Sequence, residues 1–168
     1  MNSVTSTCPS TSSAASPLAR AVSGFSSFAQ RAIALIERWL TPTFDLAIRL
    51  YVANVFFKSG LTKIQDWTST VALFQNEYQV PVLPPELAAV MGTAGELGLP
   101  VLLALGLAGR FGAAGLSVMN VVAVIAYADL SDLGRQDHLL WGVLLLVTLL
   151  HGPGRWSLDH LLKDYWAK

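Results

Sequence analysis

An all-α integral membrane four-helix bundle is the fold class that this sequence predicts, and three observations predict it. Of the 168 residues 53% are apolar and only 13% are charged, with a mean hydropathy of +0.51, whereas a soluble domain carries about 25% charged residues. The run Leu87 to Gly109, LAAVMGTAGELGLPVLLALGLAG, has 23 residues and a single charge, Glu96. At ~1.5 Å of rise per residue it extends roughly 34 Å, slightly more than the ~30 Å hydrocarbon layer. Three further stretches, Phe44 to Ile64, Phe111 to Leu130 and His138 to His151, read as spans beside it.

Composition also excludes classes. The net charge is zero, with no basic patch interleaved with aromatics, so nucleic acid has no electrostatic footprint. The one cysteine, Cys8, permits no internal disulfide, no CxxC pair and no cysteine-rich metal site.

In chain order, residues 1–17 hold nine Ser or Thr and two Pro with almost nothing large and apolar. Such a leader cannot bury enough surface to offset its ordering entropy and is expected to be disordered. It has neither a basic n-region nor an apolar h-region, so it does not read as a secretory signal. Over residues 18–41 the apolar positions Leu18, Val22, Phe25, Ala29, Ile33, Ile36 and Leu40 have a three-to-four spacing. That pattern, with Arg20, Arg31 and Arg38 mostly elsewhere and Trp39 near its end, predicts an N-terminal amphipathic interfacial helix. Packing against the soluble side of the bundle or a partner is the alternative. Pro42 is expected to interrupt it, with Thr41 or Thr43 capping the next helix. Residues 42–168 then form the membrane domain.

Phe44 to Ile64 carries Asp45, Arg49, Asn54, Lys58 and Lys63; its length suits a span, and its cations lie towards the ends, where long stems can snorkel. Gln65 to Glu86 reads as a loop with a short helix or re-entrant piece around Ser69 to Tyr78. Gly109, Arg110 and Gly112 make a tight turn between the second and third spans. Ser131 to Asp137 reads as a short acidic loop, and His138 to His151 as a marginal fourth span. RWSLDHLLKDYWAK (155–168) reads as a short C-terminal interfacial helix anchored by Trp156, Tyr165 and Trp166.

With four spans, Arg20, Arg31, Arg38, Arg110, Arg155, Lys163 and Lys168 share one side, which places both termini in the cytoplasm by the excess of positive charge. Counting ~1.5 Å per residue puts Glu96 roughly 15 Å, Asn54 roughly 15 Å and Asn120 about 14 Å from the nearest helix end, near the midplane. Polar groups in hydrocarbon should face one another, which predicts an intramembrane cluster of Glu96, Arg49, Lys58, Asn54 and Asn120. Such a layer either fixes helix register or binds something. His138 beside Asp137 is a candidate titrating pair at the outer rim. His138 and His151 lie roughly 20 Å apart on one helix and His160 lies in the tail, so no haem clamp is expected and no metal site is predicted. No phosphate loop or nucleophile elbow occurs.

Two segments carry a family resemblance. RLYVANVFFKSGLTKIQDW (Arg49 to Trp67) has an arginine in the first span and then Gly60 and Lys63; ELGLPVLLALGLAGRFGAAGL (Glu96 to Leu116) has an intramembrane glutamate, Gly106 near the helix end and Arg110 opening the next span. Over about residues 44–153 the chain resembles the DoxX family. The resemblance implies a four-span protein of the bacterial inner membrane, some of whose relatives are subunits of quinone-linked oxidoreductases and others of thiol and oxidative-stress complexes. The expected role is an accessory subunit of a membrane redox complex, with a quinone as the expected cofactor meeting the polar layer. The bilayer, a redox complex and further copies of the chain are the expected partners. A small transporter or proton-conducting bundle, and a structural anchor for a soluble partner, are the alternatives.

Overall fold

The computed structural model describes the backbone of residues 17–80 and 82–166, and side chains at residue 28, from 30 to 80 and from 82 to 166. The leader expected over residues 1–17 lies outside the described residues, apart from Pro17. The described chain is helical: α1 (Pro17–Gln65), α2 (Trp67–Asn76), α3 (Pro85–Leu105), α4 (Gly109–Ala126), α5 (Asp132–His151) and α6 (Leu158–Trp166). One antiparallel bridge, Tyr78 to Tyr127, is the extent of β pairing among the described residues. Two compact units divide the chain, one up to Arg38 and one from Trp39 onwards.

In the first unit α1 is an amphipathic stretch whose Ile33 and Ile36 are exposed. The expected break at Pro42 does not occur: Pro42 lies inside α1. A proline cannot donate to the carbonyl one turn back, but the Thr43 hydroxyl donates to the Trp39 carbonyl at 2.7 Å, which supplies a bond beside the gap.

The second unit is a helical bundle. Among the described residues α3, α4 and α5 are long and apolar enough to cross a membrane. The expected first span is the end of α1, whose charges interrupt its apolar run. Its buried residues Val52, Ala53 and Phe56 pack with Leu103 of α3, Ala113 and Leu116 of α4 and Leu145 of α5 into one core. A satellite core of Phe74, Ala88 and Ala89 holds α2 on the start of α3.

Local chemistry sets the ends. Asp66 caps α2, its carboxylate accepting from the Ser69 amide at 2.9 Å and the Ser69 hydroxyl at 2.6 Å. Pro85 opens α3, where its missing N–H costs nothing. Gly106 closes α3 at φ 66, a left-handed conformation that glycine adopts without a Cβ clash. Ser131 caps α5 through the Gly134 amide at 3.1 Å. The expected acidic loop from Ser131 to Asp137 is therefore the first turns of a 20-residue α5, and the marginal fourth stretch gains a full spanning length.

Candidate functional site

Glu96 does not meet Lys58. Its carboxylate accepts from Lys63 Nζ at 2.9 Å (Oε1) and 2.6 Å (Oε2), and the same ammonium donates to the Ser59 hydroxyl at 2.9 Å. The Lys63 and Glu96 side chains are 13% and 15% exposed, so the pair is largely withdrawn from solvent. The correction comes from helix offset. Gly60 faces α3 where a Cβ would lie 2.9 Å from Leu97 and 3.1 Å from the Glu96 Cβ, so its missing side chain permits the close approach. That contact is roughly 8 Å from the end of α1 but roughly 16 Å from the start of α3. Because α2 is packed on the start of α3, the two helix ends are not flush, and depths counted from the ends mislead. Lys58 is exposed instead.

Two cavities share Lys63 in their lining. A polar one of about 480 Å³ lies between α1 and α2, lined by Ser59, Thr62, Lys63, Asp66, Ser69 and Thr70 among others. An apolar one of about 240 Å³ is lined by Lys63 and Glu96 together with Phe74, Leu83, Met91, Val118 and Met119 among others. Tyr78 lines both. Its ring is stacked between Phe74 and Tyr127, each centroid 5.1 Å away. Burial pushes the Tyr78 phenol above its ordinary value, and the charge of Glu96 adds to the rise. An ammonium and a carboxylate in the lining of an otherwise apolar cavity can bind one polar head and a hydrophobic body together.

The remaining members of the expected cluster are distributed elsewhere. Arg49 is 1% exposed and serves the other end of the bundle: Nη1 donates to the Leu103 and Ala104 carbonyls at 3.4 and 3.3 Å, Nη2 to the Trp156 carbonyl at 2.5 Å. The last carbonyls of a helix lack internal donors and carry its negative end, so a guanidinium fork fits there better than beside a lone carboxylate. Asp159 complements it, accepting from the Ala108 and Gly109 amides at 2.8 and 2.9 Å at the start of α4. These contacts tie α6 to the turn between α3 and α4.

Asn120 is buried and joins α4 to α5: Nδ2 donates to the His138 carbonyl at 2.9 Å, and Oδ1 lies 2.7 Å from His138 Nδ1. His138 thus engages Asn120 through Nδ1, its ring turned towards α4, while Asp137 precedes it in the chain. The ring also meets Trp141 edge-on at 4.8 Å. Asn54 is exposed on α1. The expected single layer is therefore three separate sites, with Asn54 and Lys58 exposed outside them.

The sequence offers Lys63 as a snorkelling cation and as part of the motif with Gly60, but does not by itself pair it with Glu96 or place Tyr78 beside it. The glycine and lysine pair at positions 60 and 63 was the available signal: a small residue three before a cation places the cation beside whatever helix the glycine admits.

The fold and this buried ion pair define a helical membrane protein. The DoxX family model matches residues 44–129, and the chain belongs to the DoxX family. It is 32% identical over 130 residues, 72% of this chain and 84% of the relative, to a protein of Haemophilus influenzae (strain ATCC 51907 / DSM 11121 / KW20 / Rd) named only as an uncharacterized protein. No solved structure matches it.

Proposed function

We propose that this protein binds the polar head of a membrane-soluble ligand at the Lys63–Glu96 pair, with a quinone as the ligand class, as an accessory subunit of a redox complex. The observation that supports the reading is that both members of the pair line an apolar cavity, while Lys63 also lines a polar one. The residues suit a quinone: Lys63 Nζ is a donor for a carbonyl oxygen, Glu96 can hold a proton, and the walls of Met91, Val118 and Met119 accept an apolar tail. Such a group, when bound, supplies two-electron chemistry; the chain's share is to orient it and to hold a proton beside it.

Conduction of protons has less support. Between the pair and Arg49 the bundle is filled by Val52, Leu103, Leu116 and Leu145, all fully buried. The reading includes four spans in the bacterial inner membrane, the end of α1 being the first, with two of its charges, Arg49 and Lys63, turned inward and paired and both termini in the cytoplasm.

The experiment is titration of the detergent-solubilised protein with a ubiquinone analogue bearing a ten-carbon tail, with retained quinone quantified by mass spectrometry. Ala123→Phe fills the apolar cavity without touching the pair and is expected to weaken binding at least tenfold; Lys63→Met is expected to do the same. Saturable binding that neither variant changes, or no binding at all, overturns the reading.

A further inference from the structure

The exposed amide of Asn54 lies in an outward-facing groove between α1 and α3, which faces lipid in the four-span arrangement proposed above. This groove is lined by Leu50, Ala53, Phe57, Pro100, Val101 and Leu105 in addition to Asn54, and is otherwise apolar. Asn54 is eleven residues from the end of α1 at Gln65, which places it roughly 16 Å below that end. Among the described residues its side-chain amide has no hydrogen-bond partner. In hydrocarbon an amide with donors and an acceptor unmet is costly, and bundle proteins turn such groups towards a partner. Glu96 and Asn120 are bonded within the chain, and Arg49 bonds through Nη1 and Nη2, whereas the Asn54 amide has none of its groups met.

We infer that a second copy of this chain covers this groove, with the two Asn54 side chains hydrogen-bonded to each other across a two-fold axis along the membrane normal. The symmetry selects the occupant. Such an axis brings every residue opposite its own copy at equal depth, so the groove always meets an amide at the level of an amide. An amide is self-complementary, offering both N–H and C=O; a lysine or an aspartate at the same place would repel its copy. The neighbouring face of α3 lets the copies approach. Ala94 and Gly98 are exposed one turn apart, and a Cβ on Gly98 would meet nothing within 4 Å, so the space beside it is free for a facing helix. Gly60 and Gly112, by contrast, are used in contacts inside the chain. The inference does not depend on the ligand proposed at Lys63 and Glu96, which lies on another face.

The test is disulfide crosslinking in the native membrane. In the full chain carrying Cys8→Ser, single Asn54→Cys and Gly98→Cys variants are oxidised with copper phenanthroline. Leu146→Cys, on the exposed face of α5, is the control. The expected result is a crosslinked dimer as the main species for positions 54 and 98 and at least tenfold less for position 146. Equal crosslinking at all three positions means random collision and overturns the proposal, as does a monomer at 54 and 98. A second measurement uses no cysteine: Asn54→Val is expected to weaken dimerisation in detergent about tenfold, the loss of roughly one interhelical hydrogen bond, while Asn54→Gln keeps it. An unchanged dimer in Asn54→Val overturns the role of the amide.

Discussion

Consider replacing Lys63 by methionine. At a separation of 2.6 Å and an effective dielectric of about 20, the attraction between the two charges is about 6 kcal/mol. Withdrawing each ion from water costs several kcal/mol, so the net worth of the pair is close to zero. The loss on breaking it is not. Lys63→Met leaves the Glu96 carboxylate without its ammonium and leaves the Ser59 hydroxyl unpaired, a loss of about 3 kcal/mol, the lower end for a buried pair because both groups keep some exposure. Glu96→Leu leaves a cation whose flexible stem can lift it towards the polar cavity, and costs about 2 kcal/mol. The double variant Lys63→Met/Glu96→Leu has no charge to strand and is expected within about 1–2 kcal/mol of the native protein, a coupling of about 3–4 kcal/mol. Reversible unfolding in mixed dodecyl sulfate micelles measures all four corners of the cycle. If the double variant loses the sum of the single losses, the charges are not coupled in the membrane and the reasoning about this pair fails.

Three further outcomes are expected. Arg49→Met strands the carbonyls of Leu103, Ala104 and Trp156 and is expected to cost about 3 kcal/mol in the same assay, with Arg49→Lys recovering only part because an ammonium cannot reach three acceptors in a fork; a neutral Arg49→Met would show that these bonds do not hold the end of α3. Asn120→Val is expected to cost about 1–2 kcal/mol and to remove the preference of His138 for a proton on Nδ1, read from the ring nitrogen shifts in NMR, whereas an unchanged tautomer would place its cause elsewhere. The Ser69 hydroxyl, then the Ser69 amide, hold the Asp66 carboxyl below its ordinary value of 3.8. A depressed folded value makes its contribution to α2 fully present above that ordinary value and lost as pH falls through the lower folded one. Protection of the α2 amides, as the exchange rate relative to the intrinsic rate at each pH, is therefore expected to fall below about pH 4 in the native protein but not in Asp66→Asn; an equal fall in both would refute the cap's part.

Much of the molecule was legible along the chain because membrane helices answer to local rules. Apolar length, prolines at 84 and 85, glycine at 106 and the amphipathic ends are one-dimensional signals, and they placed α3, α4 and α6 within a few residues. Two local readings failed for local reasons. Pro42 was expected to break a helix that Thr43 helps to carry through, and Ser131 caps a helix where a loop was expected. The polar residues were a harder case. Glu96, Arg49 and Asn120 were singled out as costly in hydrocarbon, and each does have a dedicated set of partners.

What the sequence determined by itself is that this chain is a helical membrane protein with charges it must satisfy internally, since bilayer thickness and the cost of an unpaired charge depend on residue type alone. Which charge meets which was decided only in three dimensions. The offset of α3 against α1, set by Gly60 against Leu97 and by α2 on the start of α3, exchanges Lys58 for Lys63 as the partner of Glu96. The five residues from Lys58 to Lys63 move a side chain roughly 7 Å along α1 and about 140° around it, more than an ion pair tolerates, and that offset belongs to the packing of two helices and not to either helix alone.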